Sequence, residues 1–187
     1  MALKKSEGEA CVKIAREAVE LWARKRKVLK PAEFPERLKE PSGVFVTLTK
    51  HEKLRGCIGH PYPAGALLEN LIDSAIAACG DPRFQALRES ELKDIRIEVS
   101  ILTPPELIKR QSAFENYEKF MEVGKDGLII TRGSKSGLLL PQVATEYKMG
   151  AKQFLDCLLD KAGMGRDEAS GARIYKFRAQ IFRELKG

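Results

Sequence analysis

The amino-acid sequence predicts an α+β fold: a mostly antiparallel sheet flanked by helices, with residues 1–187 forming one domain. Three observations lead there. Helical and extended periodicities are interspersed along the chain without βαβ regularity. A strand-hairpin pattern occurs twice, at 44–58 and 128–140, which points to two similar lobes. Two further segments, IRIEVSIL and ARIYKFRAQIFRE, alternate apolar and polar residues at a period of two, as half-buried strands do.

In chain order, residues 6–27 carry Cys11, Ile14, Ala15, Ala18, Leu21 and Trp22 at helical spacing, with Ser6 and Glu9 spaced as a capping box. PAEFPERLKEPSG holds three prolines and reads as a connection in which FPERLKE makes at most a helical turn. GVFVTLTK, the short HE turn and KLRGCIG form the first hairpin, and PYP ends it. A second helix runs through AGALLENLIDSAIAACG, with Leu68, Leu71, Ile72, Ala75, Ile76 and Cys79 on one face and Gly80 as its stop. DPRF is a turn, and IRIEVSIL a strand that TPPELI ends. YEKFMEVGKDG is ambiguous between states. The second hairpin, GLIITRGSKSGLLLPQV, has a polar loop containing Gly133 and Gly137. MGAKQFLDCLLDKAGM is a third helix closed by Gly163, and ARIYKFRAQIFRE is the last strand.

A chain of this length buries enough surface to need neither a metal nor a disulfide staple. Hydrophobic residues make up 43% and charged residues 32%, a globular balance. There is no apolar run of the ~18 residues that a membrane span needs, and MALKKSEGEACVK lacks the apolar core of a secretion signal. The expected location is cytoplasmic. The four cysteines form no CxxC pair, so reduced thiols are expected. Cys11, Cys79 and Cys157 fall on helical apolar stripes, where cysteine packs as a small hydrophobe. Cys57 does not.

The net charge is +7, which opens the question of nucleic acid without answering it. The densest cluster, ARKRKVLK at 23–30, closes the first helix, where cations also complement the helix dipole. A second set, Arg173, Lys176, Arg178, Arg183 and Lys186, is strung along the last strand.

The stretch KLRGCIG is the one that invites chemistry. In an unbroken strand, Arg55, Cys57 and Gly59 share one face, with Arg55 and Cys57 about 7 Å apart at Cα. A guanidinium beside a thiol favours the thiolate and lowers the pKa from its free value near 8.5. On this reading Gly59 leaves space for a ligand, and Gly56 marks a bulge that turns the sulfur outward. Two alternatives stand beside it. The glycines can serve packing alone, and Arg55 can be held by Glu98 as a structural ion pair. His51, Cys57 and His60 offer three donors, but His51 sits at the turn, away from His60, and no metal is expected. Walker, GxGxxG, HExxH and GxSxG patterns are absent, and no cofactor is expected. A base for the thiol would be one of the two histidines, or Glu98 or Asp81.

Taken in order, GVFVTLTK, LRGCIG, DPRF, IRIEVSILTPPE, DGLIITRGSKSGLLLPQVA and FLDCLLDKAGM resemble the AMMECR family over nearly the whole chain. That family takes its name from a chromosomal region linked to Alport syndrome, midface hypoplasia and elliptocytosis. One departure is that no tryptophan follows the KAG segment. The resemblance implies an α+β fold, one domain with two unequal lobes, and LRGCIG lining a cleft between them. It marks Leu54, Arg55, Gly56, Cys57, Ile58 and Gly59 as motif residues, with Asp81, Arg83 and Glu98 as companions; His60, next along the chain, is a further candidate binding residue. It also implies association with Memo-like and radical-SAM proteins in a modification pathway, and it leaves the biochemical function open.

Three functional readings follow. In the first, Cys57 is the nucleophile or acceptor of a small enzyme or enzyme component, assisted by Arg55. In the second, the chain is a non-catalytic module that binds RNA, DNA or a protein partner. In the third, the motif is a fold determinant only.

Overall fold

The computed structural model describes residues 2–109 and 113–184. The chain divides into two compact units. The first is Met1–Leu102 with the C-terminal stretch from Gln180, and the second is Thr103–Ala179.

In the first unit, helix α1 (Lys5–Lys25) buries Cys11, Val12, Ile14, Ala15, Ala18 and Val19. Its cap lies two residues earlier than expected: the Lys4 N–H donates to Glu7 Oε2 at 2.7 Å, so Ser6 is already helical. At the other end Arg26 takes the left-handed conformation and donates its N–H to the Trp22 carbonyl. A 3-10 turn over Glu36–Lys39 places Leu38 in the core. Strands β1 (Gly43–Lys50) and β2 (Lys53–His60) form the first hairpin, and β3 (Ile95–Leu102) pairs antiparallel with β1 on its other side.

Helix α2 (Leu67–Cys79) begins three residues later than its apolar pattern suggests, because Ala64 and Gly65 remain in the turn after Pro63. Leu71, Ile72, Ala75 and Cys79 are buried as expected. Leu68 and Ile76 sit at the edge of the stripe, and Leu67 and Ala78 take the central places. The core lies where α1 and α2 cover the face of the sheet carrying Val44, Val46, Leu48, Ile97 and Val99. The end of β7 (Arg173–Arg183) joins this unit. Phe182 lies against the backbone of Gly8, where a side chain would collide with its ring, and the Glu184 N–H donates to the Ile97 carbonyl.

In the second unit, β5 (Asp126–Arg132) pairs with β6 (Lys135–Leu139) on one side and with the first part of β7 on the other. A two-residue strand β4 (Glu106–Leu107) adds to β7 just after the prolines expected to end that region. The ambiguous stretch begins in a 3-10 segment, Phe114–Phe120, passes through a turn and ends in the first residues of β5. Helix α4 (Ala151–Ala162) ends at Gly163 in the left-handed conformation, as expected. Two short helices escaped the sequence reading. They are α3 (Pro141–Glu146), with proline at its first turn, and α5 (Arg166–Ala169). Each has under two turns and too few apolar residues to show a period.

Gly137 stands inside β6, not in the loop, and a Cβ there would lie 2.9 Å from the Leu158 carbonyl oxygen of α4. Phe154, Leu155, Leu158, Leu128, Ile130 and Ile174 form this unit's core. No helix among the described residues is long and apolar enough to cross a membrane.

Candidate functional site

The first hairpin departs from a regular ladder at one residue. Leu48 pairs with Gly56, but Thr49 pairs with Leu54, so Arg55 is the extra residue of a β-bulge. Gly56 was the expected bulge; it is the neighbouring residue that bulges, and the consequence is large. Cys57 pairs with Thr47 on the sheet face that carries Glu98 opposite. Arg55 instead joins the face of Gly56 and Lys50, towards the helices. There its Nε and Nη2 donate to Glu91 Oε1 and Oε2 at 3.1 and 3.0 Å. The bulge thus turns Arg55 away from the face of Cys57 and Glu98, and its guanidinium is committed to Glu91 instead. Glu98 accepts from Arg183 Nε at 2.5 Å.

The glycines also have uses other than the expected one. A Cβ on Gly56 would collide with the carbonyl oxygen of Ala78, so this position lets the end of α2 rest on the strand. A Cβ on Gly59 would meet the Val44 carbonyl and the Phe45 side chain. The space beside Cys57 is taken by the neighbouring strand and its ring, not kept for a ligand.

The backbone of Cys57 is held from the open side of β2. Its N–H donates to Asp81 Oδ2 at 2.9 Å, and its carbonyl accepts from Arg83 Nη2 at 3.3 Å. Asp81 and Arg83 are joined by two side-chain hydrogen bonds of 2.6 and 3.0 Å, and Asp81 also accepts the Arg83 N–H. The DPRF turn thus clasps an edge strand whose unpaired groups would otherwise invite another chain. Asp81 is buried, and the Arg83 guanidinium holds its carboxyl down at about 2 against the cost of burial. Arg83 is half exposed. Asp81 raises its affinity for its proton first, and charge on Cys57 adds to this. Arg83 is thus a cation that communicates with the thiol.

The sulfur is half-buried and accepts a hydrogen bond from Thr47 Oγ1 at 3.3 Å. Burial pushes the other two first-unit thiols up, Cys11 to about 12 and Cys79 to about 11. Cys157 is half-buried against the second core. His60 is exposed at the end of β2, on the face of Val44, and His51 is in the turn, so neither joins Cys57. Asp81 is bound to the Cys57 backbone, and Glu98, held by Arg183, lies two strands across in the row Cys57–Thr47–Glu98.

On the helix side of β2, a cavity of about 410 Å³ opens beside Arg55. Lys50, Arg55, Arg88, Phe84 and Glu91 line it. Glu91 accepts from Arg55, from Lys50 Nζ at 3.0 Å and from the Arg88 N–H at 3.2 Å. Arg55 above all holds its carboxyl at about 2. Sequence reading missed Thr47, Lys50, Arg88 and Glu91. Thr47 comes opposite Cys57 only through the bulge at Arg55, since a regular ladder from the turn pairs Cys57 with Val46, and RESE resembles any solvated charged run.

The basic segments are partly committed. Arg24 pairs with Glu89, Arg178 with Glu122 and Asp126, and Arg183 with Glu98. Arg24, Lys25, Arg26 and Lys27 are exposed at the end of α1. Lys186 lies outside the described residues.

An antiparallel α+β chain whose bulged LRGCIG hairpin is clasped by a DPRF turn defines a class of protein recognised by that arrangement. The AMMECR1 family profile matches residues 12–182, and the chain belongs to that family. A protein of Methanothermobacter thermautotrophicus is 48% identical, covering 97% of this chain and 96% of its own. One from Thermococcus onnurineus is 46% identical, covering 97% and 92%. The crystal structure of an uncharacterised protein from Pyrococcus horikoshii superposes with a TM-score of 0.91 at 40% identity, covering 97% of this chain and 93% of its own.

Proposed function

We propose that the protein is a small enzyme or enzyme component whose working group is the Cys57 thiol, used as nucleophile or acceptor in a modification reaction. The observation that carries this is the Asp81–Arg83 clasp. It fixes the Cys57 backbone at both its N–H and its carbonyl while leaving the sulfur half-buried rather than sealed. A rigidly held thiol beside a guanidinium and a hydroxyl donor has the surroundings that favour its ionised form. Arg83 takes the part expected of Arg55, and Thr47 is a positioning residue. Asp81 orients Arg83, and Glu98, held by Arg183, stands in the same row.

The test is competitive alkylation of the full chain with iodoacetamide at neutral pH, read by peptide mass spectrometry. Cys57 should label first, ahead of Cys157 and far ahead of Cys11 and Cys79. Arg83→Gln should slow Cys57 and leave Cys157 unchanged. Uniform slow labelling of the four thiols, or no effect of Arg83→Gln, refutes the reading.

A second reading rests on the exposed run Arg24–Lys27: a module that holds nucleic acid by its phosphates. It requires retention on RNA or DNA that falls steeply with salt through counterion release.

A further inference from the structure

The cavity on the helix side of β2 is a separate matter, because the bulge at Arg55 puts it on the opposite face of the strand from the sulfur. Its lining is unbalanced. Lys50, Arg55 and Arg88 bring three cations to a single carboxylate, Glu91, and two of them already bind it. Arg55 is 13% exposed and Lys50 30%, so neither is a freely solvated surface charge. Holding cations out of water without matching anions is costly. A network serving the fold alone would bring carboxylates in comparable number.

The geometry also leaves donors unused. Glu91 takes the Nε–Nη2 edge of Arg55, and among the described residues no hydrogen bond occupies Nη1. Lys50 spends one of its three N–H donors on Glu91. Arg88 donates from Nη2 to Gln85 at 3.1 Å, and its guanidinium has no carboxylate partner among the described residues. Glu91 therefore sets the orientation of Arg55 and Lys50 without exhausting either. Ser90 adds a hydroxyl to the lining. Phe84 adds a half-buried ring held by Arg55 and Arg83, whose guanidinium carbons lie 5.9 and 5.7 Å from its centroid.

We propose that this cavity binds a phosphomonoester, with its phosphate among Arg55, Lys50 and Arg88 and its organic part beside Phe84. The excess of two positive charges matches a phosphate dianion, whereas a carboxylate would leave one cation unmatched. Arginine forks and a lysine converging on one spot are the donors that phosphate recognition uses. A cavity of about 410 Å³ lies within the range of small-molecule sites and leaves room beyond one phosphate for a compact organic group.

Isothermal titration of the full chain at low salt with phenyl phosphate, inorganic phosphate and benzoate tests this. Phenyl phosphate should saturate one site and bind about tenfold more tightly than inorganic phosphate, and benzoate should be weakest. Arg88→Gln, at an exposed position, should weaken phenyl phosphate by at least about tenfold. Arg55→Lys, which keeps the charge but removes the fork, should also weaken it, while Arg24→Gln on the remote surface should not. Saturable binding unaffected by Arg88→Gln overturns the site, and so does the absence of binding by either phosphate. Benzoate binding as tightly as phenyl phosphate overturns the phosphate assignment, and equal binding of both phosphates overturns the organic subsite. A short single-stranded RNA that displaces phenyl phosphate through the same Arg88 contact and binds more tightly overturns the small-molecule assignment. The outcome is independent of the alkylation rate of Cys57, so this proposal and the thiol reading can fail separately.

Discussion

The two hairpins of the chain have one packing device in common and differ in almost everything else. In each, a glycine on the second strand lets a helix rest on the sheet: Gly56 beneath Ala78 of α2, and Gly137 beneath Leu158 and Ala162 of α4. The second hairpin keeps an unbroken register from Leu128↔Leu139 to Arg132↔Lys135 and turns through Gly133 at φ 58°. The first turns through His51 and Glu52, both at positive φ, and carries the bulge at Arg55. Its free edge is held by an ion pair from the DPRF turn. A hairpin that only closes a core needs none of these additions. Strain, bulge and clasp accumulate where side chains must be aimed, here Arg55 into one face and Cys57 into the other.

The largest difference should come from filling the two glycines. Gly56→Ala drives a methyl into a backbone carbonyl and should cost roughly 3 kcal/mol or more, whereas Gly137→Ala, with contacts near 2.9 Å, should cost about 1–2 kcal/mol. Denaturant unfolding with hydrogen exchange in each unit measures both. Equal losses would mean that the two approaches are equivalent and that the first hairpin is not the tighter one.

Next in size is the clasp. Asp81→Asn removes charge-assisted bonds from a buried site and should cost about 1.5–3 kcal/mol, with lost protection of the Cys57 amide. Arg83→Gln, at a half-exposed side chain, should cost less. Among the described residues, the second hairpin shows no such clasp.

Acid should distinguish the units as well. Asp81 and Glu91 are both lowered to about 2 from ordinary values of 3.8 and 4.5. Carboxyls depressed in the folded state stabilise it above their unfolded values, and that contribution is lost as pH falls through the folded ones. The first unit should therefore weaken between pH 4.5 and 2, as read by fluorescence of Trp22, the single tryptophan. Glu168 of the second unit, also lowered and held by Lys135, is about half exposed and should contribute less. Acid loss of equal size in both units would contradict the contrast.

The turns should give the smallest effect. Glu52→Gly relieves a side chain held at φ 62° and should stabilise by about 0.5–1 kcal/mol, while Gly133→Ala should destabilise by a similar amount. Thermal melts decide the signs.

Much of this was legible in the residues. The α+β class, both hairpins, the three long helices and the final strand follow from periods of two and 3.6, which report which face of an element is buried. The C-terminal stop at Gly163 was legible because only a left-handed residue ends the helix that way. The capping residue of α1, the start of α2 and the short helices α3 and α5 were not, because they depend on single hydrogen bonds or on segments too brief to show a period.

At the candidate site, the sequence alone determined that Leu54–Gly59 is a strand bearing a thiol and an arginine, and that DPRF is a turn. It could not determine which way Arg55 points. One inserted residue in the ladder reverses the alternation, and pairing register is a property of two strands, not of one. Nor could local pattern announce that Asp81 and Arg83 meet the backbone of Cys57 24 and 26 residues earlier, or that Glu91 gathers Lys50 and Arg55. Those are long-range encounters, made when α2 lies down on Gly56. The tertiary structure decided them because close packing brings together side chains that no spacing along the chain relates.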